Sequence, residues 1–251
     1  MTYVEGFVAA VPEENKAAYL EHAARASVLL REFGVVRHTE AWGADVPDGT
    51  VTDFRKAVQA NEGETVVFAW FEYPDRPARD AATAKMMSDP RMAELMDMPF
   101  DGKRMIMGGF ESILDAGSDR GGFVDGFVLP VPHARRDAYL EMAHKAEPIF
   151  AEHGALRVVE AFGDDVPRGE VTDFYRAVKA QEGEGVVFSW IEWPDRATRD
   201  QAWAKMMEDE RMKPDPANTP FDGKRMFWGG FEMVFDTAAH DAAASEEKEL
   251  A

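Results

Sequence analysis

The chain has 251 residues and a mass of 28.0 kDa, and it is 45% apolar, enough to build one large core or two compact ones. Its formal charge of −19 opposes non-specific attraction to nucleic-acid phosphates or anionic lipid, and no stretch approaches the ~20 apolar residues of a membrane span. It has no cysteine, which excludes disulfides, thiolate nucleophiles and cysteine-ligated zinc or iron–sulfur clusters.

Taken in chain order, Tyr3–Val11 reads as a strand ended by Pro12. From Glu13 to Phe33 the apolar residues Tyr19, Ala23, Ala26, Leu30 and Phe33 keep helical spacing, and Gly34 stands where a helix C-terminal glycine belongs. Val35–Trp42 is a second strand, followed by a polar loop through Val46-Pro-Asp-Gly. Phe54–Ala60 reads as a short strand, and Asn61-Glu-Gly-Glu as the turn that leads to a return arm at Thr65–Tyr73. That arm is apolar on both faces, as expected of a strand covered on both sides. Pro74-Asp opens a helix predicted to reach about Met96, and the Asp101-Gly turn leads to a last strand near Arg104–Leu114. The order β-α-β-β-α-β is that of a ferredoxin-like unit, with two helices on one face of an antiparallel sheet.

The same order occurs twice. VEGFV from Val4 returns as VDGFV from Val124, DVPDGTVTDF from Asp45 as DVPRGEVTDF from Asp165, and VVFAW from Val66 as VVFSW from Val186. AKMM from Ala84 returns from Ala204, and PFDGKRM from Pro99 returns from Pro220 after a one-residue insertion. More than half of the aligned positions are identical, which marks a tandem duplication. The repeats divide as 1–117 and 121–236, with Ser118-Asp-Arg as a joint and an acidic, alanine-rich tail at 237–251. Each sheet needs cover for the face its own helices leave bare. The expected architecture is therefore α+β, two sheets face to face about a pseudo-two-fold axis with a shared interior.

The segments YVEGFV, W-G-x-D-V-P-x-G-x-V-T-x-F, VVFxW, KMM and PFDGKRM resemble the YbaA-like family of uncharacterised bacterial proteins, across both repeats almost end to end. That resemblance implies the dimeric α/β-barrel superfamily, here as two units fused into an intramolecular pseudodimer. The superfamily includes cofactor-independent monooxygenases, haem-degrading enzymes, isomerases and ligand sensors, so the fold does not select a function.

Acidic residues recur on the predicted strands at Glu5/Asp125, Glu40/Glu160, Glu72/Glu192 and Glu111/Glu232. Buried carboxylates need partners or a raised pKa, so Glu40, Glu72, Glu160 and Glu192 are candidate proton acceptors, with pairing to Arg37/Arg157 or Arg104/Arg225 as the structural alternative. The loops Gly43–Phe54 and Gly163–Phe174, preceded by Trp42 and Phe162, place Asp45 and Asp165 at the rim of a site or in a rigid turn. Lys103-Arg104 and Lys224-Arg225 follow a turn and offer two cations to a carboxylate or phosphate. The six histidines do not align between repeats: His22 falls on Met142 and His38 on Val158. A symmetric pair of histidine sites is excluded, and no metal-ligand spacing is present.

These features support a protein that binds a small apolar or amphipathic molecule, anionic where the Lys-Arg pairs take part. A cofactor-independent monooxygenase or isomerase and a non-catalytic association module stay open beside it. No cofactor, nucleic acid or membrane partner is expected, and further homodimerisation could use the remaining edges. The start MTYVEGFVAAVPEEN lacks the basic, then apolar, pattern of a secretory leader, which leads to the expectation of a cytoplasmic protein.

Overall fold

Pro12 ends β1 (Tyr3–Pro12) and a single 3-10 turn at Glu13–Asn15 carries the chain into α1 (Lys16–Phe33). The computed structural model describes residues 2–213 and 218–238; most of the predicted acidic tail, with His240, lies outside the described residues. Helix α1 stops at Gly34, whose φ of 120° lets the Gly34 and Val35 amides both reach the Leu30 carbonyl. The chain continues as β2 (Arg37–Asp45), α2 (Phe54–Ala57), β3 (Glu64–Tyr73), α3 (Arg76–Ser88) and β4 (Ile106–Gly117). The second repeat follows the same order: β5 (Phe123–Pro132), α4 (Arg136–Glu152), β6 (Arg157–Asp165), α5 (Phe174–Ala177), β7 (Glu184–Trp193), α6 (Arg196–Met206) and β8 (Phe227–Asp236).

Two boundaries differ from the sequence reading for local reasons. Phe54–Ala60 is not a strand. Asp53 accepts hydrogen bonds from the Lys56 and Gly49 amides and so caps the short helix α2, which drops Phe54 into the core. Helix α3 ends at Ser88 rather than near Met96, because Pro90 holds Asp89 extended (φ −82°, ψ 119°) before a 3-10 segment at Pro90–Leu95.

The eight strands close into one antiparallel barrel in the order β1-β3-β2-β8-β5-β7-β6-β4. Each repeat supplies four neighbouring strands, and the seams are the pairs β2–β8 and β4–β6, both interrupted by bulges. Helix α1 lies over the first seam, touching β2 and β8, and α4 lies over the second, touching β4 and β6.

The barrel is filled. Phe68 and Phe188 stack across the pseudo-two-fold axis with centroids 4.4 Å apart and planes 3° from parallel, and Trp70 meets Trp190 at 4.5 Å. This packing explains the glycines of VEGFV and VDGFV. A Cβ on Gly6 would stand 3.0 Å from the Phe188 ring, and one on Gly126 2.9 Å from Phe68, so each glycine is the seat of the other repeat's ring. At one end α2 and α5 plug the barrel, where the Thr52 and Thr172 hydroxyls donate to the Ala177 and Ala57 carbonyls at 2.6 and 2.7 Å.

Candidate functional site

The other end of the barrel is closed by charge. Arg37 donates through Nη1 and Nη2 to Glu192 (2.8 and 2.9 Å) and through Nε and Nη2 to Asp236 (3.1 and 2.8 Å). Arg157 repeats the arrangement with Glu72 (2.8 and 3.1 Å) and Asp115 (2.8 and 2.9 Å). The indoles of Trp70 and Trp190 donate to Glu72 and Glu192. Each guanidinium thus reaches a carboxylate of the other repeat, and two cations stand against four anions. Both forks are bidentate and largely buried, the geometry in which removing one member strands the rest.

The two sides of this network are covered differently. Beside Arg37 the chain leaves β8 through Thr237 and Ala238, both buried. Beside Arg157 it leaves β4 through Gly117, and a cleft of about 670 Å³ opens. Its walls are Val36, Ile113 and Leu114, with Ser112 and Thr2; Arg37, Glu72, Asp115 and Arg157 form its charged floor. Arg120, exposed on the joint between the repeats, also lines it and has no ion-pair or hydrogen-bond partner among the described residues.

A second kind of site lies beneath the long helices. Tyr19 on α1 donates to Glu40 on β2 at 2.5 Å, and Tyr139 on α4 donates to Glu160 on β6 at the same distance. Burial pushes the Glu160 carboxyl up to about 7, against the hydrogen bonds from Tyr139 and Ser189 that hold it down. Burial, then the facing carboxylates, holds both tyrosines well above the usual phenol range, so they remain donors. The first repeat adds His38, whose Nε2 lies 2.7 Å from Glu40.

The predicted carboxylates therefore fall into separate places. Glu72 and Glu192 hold the barrel mouth together, and their oxygens are already occupied by Arg and Trp N–H groups. Glu40 and Glu160 lie under the helices. Glu5 and Asp125, pushed up by burial, pair with Arg79 and Arg199, while Glu111 is exposed beside Arg136.

Among the predicted ligand residues, Trp42 and Phe162 are buried, with Lys16 and Arg136 over their faces. Asp45 and Asp165 bond Arg199 (2.9 Å) and Arg79 (2.6 Å) of the opposite repeat, so they clamp the repeats together. Lys103 and Lys224 stay exposed, but Arg104 and Arg225 are bound bidentately by Glu64 and Glu184, and each donates through Nε to Asp101 and Asp222 respectively. The structure thus commits both guanidinium groups to fold contacts and leaves Lys103 and Lys224 as the exposed cations of the motif; the cleft opens elsewhere. The Arg104 hydrogen bonds hold Glu64 at about 2, and Arg225 likewise lowers Glu184. A depressed folded-state pKa contributes stability above the unfolded carboxyl value of about 4.3 that is lost as pH falls toward 2. The double variant Glu64→Gln, Glu184→Gln should be less stable at pH 7 and show a flatter loss between about pH 5 and 2 in urea titrations. An acid limb as steep as that of the parent protein would refute the assignment.

Sequence reasoning set His38 aside because it aligns with Val158, and it passed over Arg120 as part of a joint. The signal for His38 was its place two residues before Glu40, on the same face of a strand. Among the described residues no group of three or more His, Asp or Glu side chains is arranged to hold a metal ion, and no helix is long and apolar enough to cross a membrane.

Comparison with known proteins places these observations. The family described as "Protein of unknown function (DUF1428)" matches residues 2–102 and again 122–223. The uncharacterized protein YbaA of Escherichia coli K12 is 64% identical over 116 residues, a match that covers 46% of this chain and 99% of that protein; YbaA of Shigella flexneri matches to the same extent. Among solved structures, a proposed monooxygenase of Fusobacterium nucleatum superposes with a TM-score of 0.56 at 12% identity, covering 94% of this chain and 93% of the other. An anthrone oxidase-like protein gives 0.55 at 13% identity, covering 94% and 92%. At such identities the likeness is one of fold.

Proposed function

The chain belongs to the DUF1428 family through both of its repeats, and from that premise, which brings no activity with it, we propose that it binds a small amphipathic anion in the cleft at the barrel mouth. The observation that carries this reading is the lining. An apolar wall of Val36, Ile113 and Leu114 faces the one guanidinium of the cleft, Arg120, that has no partner among the described residues. Arg37 and Arg157 are committed to four carboxylates, so they shape the floor without supplying a free cation. The volume suits a ligand of drug-like size. The cytoplasm is the compartment this reading assumes.

The test uses 1-anilinonaphthalene-8-sulfonate, an aromatic anion whose fluorescence rises in apolar sites. Saturable binding of one probe per chain is expected. Arg120→Glu should weaken it about tenfold, equivalent to about 1.4 kcal/mol, and Ser118→Trp, at an exposed position lining the cleft, should abolish it. Binding without saturation, or binding that both variants leave unchanged, overturns the reading.

The folds superposed above include a proposed monooxygenase and an anthrone oxidase-like protein, which keeps a catalytic alternative in view. Glu72 and Glu192 are occupied as acceptors by Arg and Trp N–H groups, so of the four predicted proton acceptors this alternative rests on Glu40 and Glu160, beneath α1 and α4.

A further inference from the structure

The network at the barrel mouth is short of positive charge. Among the described residues Arg37 and Arg157 are the cations that meet Glu72, Glu192, Asp115 and Asp236, so two of the four carboxylate charges stand uncompensated. In a water-poor setting such an excess is costly, and a cation placed against it lowers the energy. One of the four carboxylates is open to that cation. The Asp115 side chain is 26% exposed, whereas those of Glu72, Asp236 and Glu192 are 8%, 5% and 0% exposed. Asp115 accepts from Nε and Nη2 of Arg157 and, at 3.4 Å, from the Thr2 hydroxyl. A carboxylate has about four acceptor positions, so its outward edge can take a further N–H donor. Asp115 lines the same cleft as Arg120, which has no anionic partner among the described residues. The cleft also carries Val36, a large apolar side chain left 58% exposed, and the partly buried Ile113. On the Arg37 side the buried Thr237 and Ala238 cover the network instead.

We propose that the ligand of this cleft is a zwitterion with an apolar body, of the chemistry of a short peptide of apolar residues, which assumes that the cleft is a binding site as set out above. The ligand's ammonium group donates to Asp115, its carboxylate pairs with Arg120, and its side chains lie on Val36 and Ile113. A ligand that is only an anion would answer Arg120 but add negative charge to a mouth that already has two charges in excess. A ligand that is only a cation would relieve the excess and leave Arg120 unanswered. A zwitterion gives each exposed charge of the cleft its opposite, and both contacts are charge-assisted hydrogen bonds. The guanidinium fork suits a carboxylate, and the three donors of an ammonium group can serve Asp115 and the Thr2 hydroxyl oxygen together. The cleft, at about 670 Å³, is of the size that holds a drug-sized molecule, which a dipeptide is. Since the Arg37 side is covered, one ligand binds per chain.

The test is isothermal titration calorimetry of the whole chain with leucyl-leucine, its N-acetyl form and its C-terminal amide, at about pH 6.5, where an α-amino group of pKa about 7.7–8.0 is protonated. Leucyl-leucine should bind with a stoichiometry of one. Acetylation, which removes the ammonium charge, and amidation, which removes the carboxylate, should each weaken binding about tenfold, the scale of one lost charge-assisted hydrogen bond. In Asp115→Asn the difference between the free and acetylated peptides should vanish while the effect of amidation stays; in Arg120→Glu the reverse should hold. Thermal unfolding checks that both variants are folded, and the comparison of the three peptides on the parent protein needs no variant. If the acetylated peptide binds as tightly as the free one, or if the sulfonate probe saturates the cleft while none of the three peptides binds, the zwitterion is overturned and the anion site stands. If the amide binds as tightly as the free peptide, or if neither peptides nor probe bind, both fall.

Discussion

Arg37→Ala should lower the unfolding free energy by about 3–5 kcal/mol, because it removes one member of a buried ion-pair network and leaves the others in place. Glu192 would keep only the Trp190 indole and a 3.7 Å approach from Arg157, and Asp236 only its backbone contact from Ala238. Two desolvated carboxylates would then stand without their counter-charge. Arg157→Ala should cost less, since Asp115 is partly exposed and water can replace its partner. The deficit of Arg37→Ala should shrink as pH falls, because stranded carboxylates escape the penalty by taking up protons. Adding Glu192→Gln should recover part of the loss for the same reason. Urea unfolding at pH 7 and pH 5 reads both effects; a deficit below about 1 kcal/mol, or one that acidification deepens, would mean that the network does not close the barrel mouth as described.

Phe68→Ala is expected to cost a similar amount, about 3–5 kcal/mol, for a different reason. Phe68 is fully buried, stacks on Phe188, and meets the edges of Phe54 and Trp70. Its removal leaves a void on the axis that the closed barrel cannot collapse to fill. Phe188→Ala should behave alike, and the double variant should lose less than the two singles together, because each single already forfeits the shared stack, worth about 0.5–1.5 kcal/mol. The sheets share one core and two seams, so all these variants should unfold in one transition. Separate transitions for the two repeats, or additive losses, would contradict a common interior.

The β-α-β-β-α-β order was readable because its long elements carry their periods openly, as in Tyr19, Ala23 and Leu30 on α1 or the doubly apolar run of β3. The face-to-face packing followed from the duplication, since one bare sheet face needs another. Helix α2 was not readable from periodicity, because four residues cannot show a period; its signal was Asp53, a helix-capping side chain. The cations of PFDGKRM looked available only because Glu64 stands 40 residues before Arg104, and a linear scan does not see that pairing. The mouth was hidden more deeply still, since Arg37 and Glu192 are 155 positions apart. His38 was discounted by comparing the repeats, a test that finds what a duplication has kept and passes over what one copy alone possesses.

The seam between β2 and β8 also has a consequence for how the chain is made. Strand β2 ends at Asp45 and its partner β8 is complete only at Asp236, so at ~5–20 residues per second the ribosome needs roughly 10–40 s to supply the second edge. Through that interval the first repeat can form its own sheet, but β2 and β4 have open edges and the face carrying Phe68 and Trp70 has no cover. The most complementary surface then on offer is the same half of another nascent chain, whose edges and rings would complete an equivalent barrel. Crowded translation on one message should therefore favour barrels shared between molecules, and slow, well-spaced synthesis should favour the barrel closed within one.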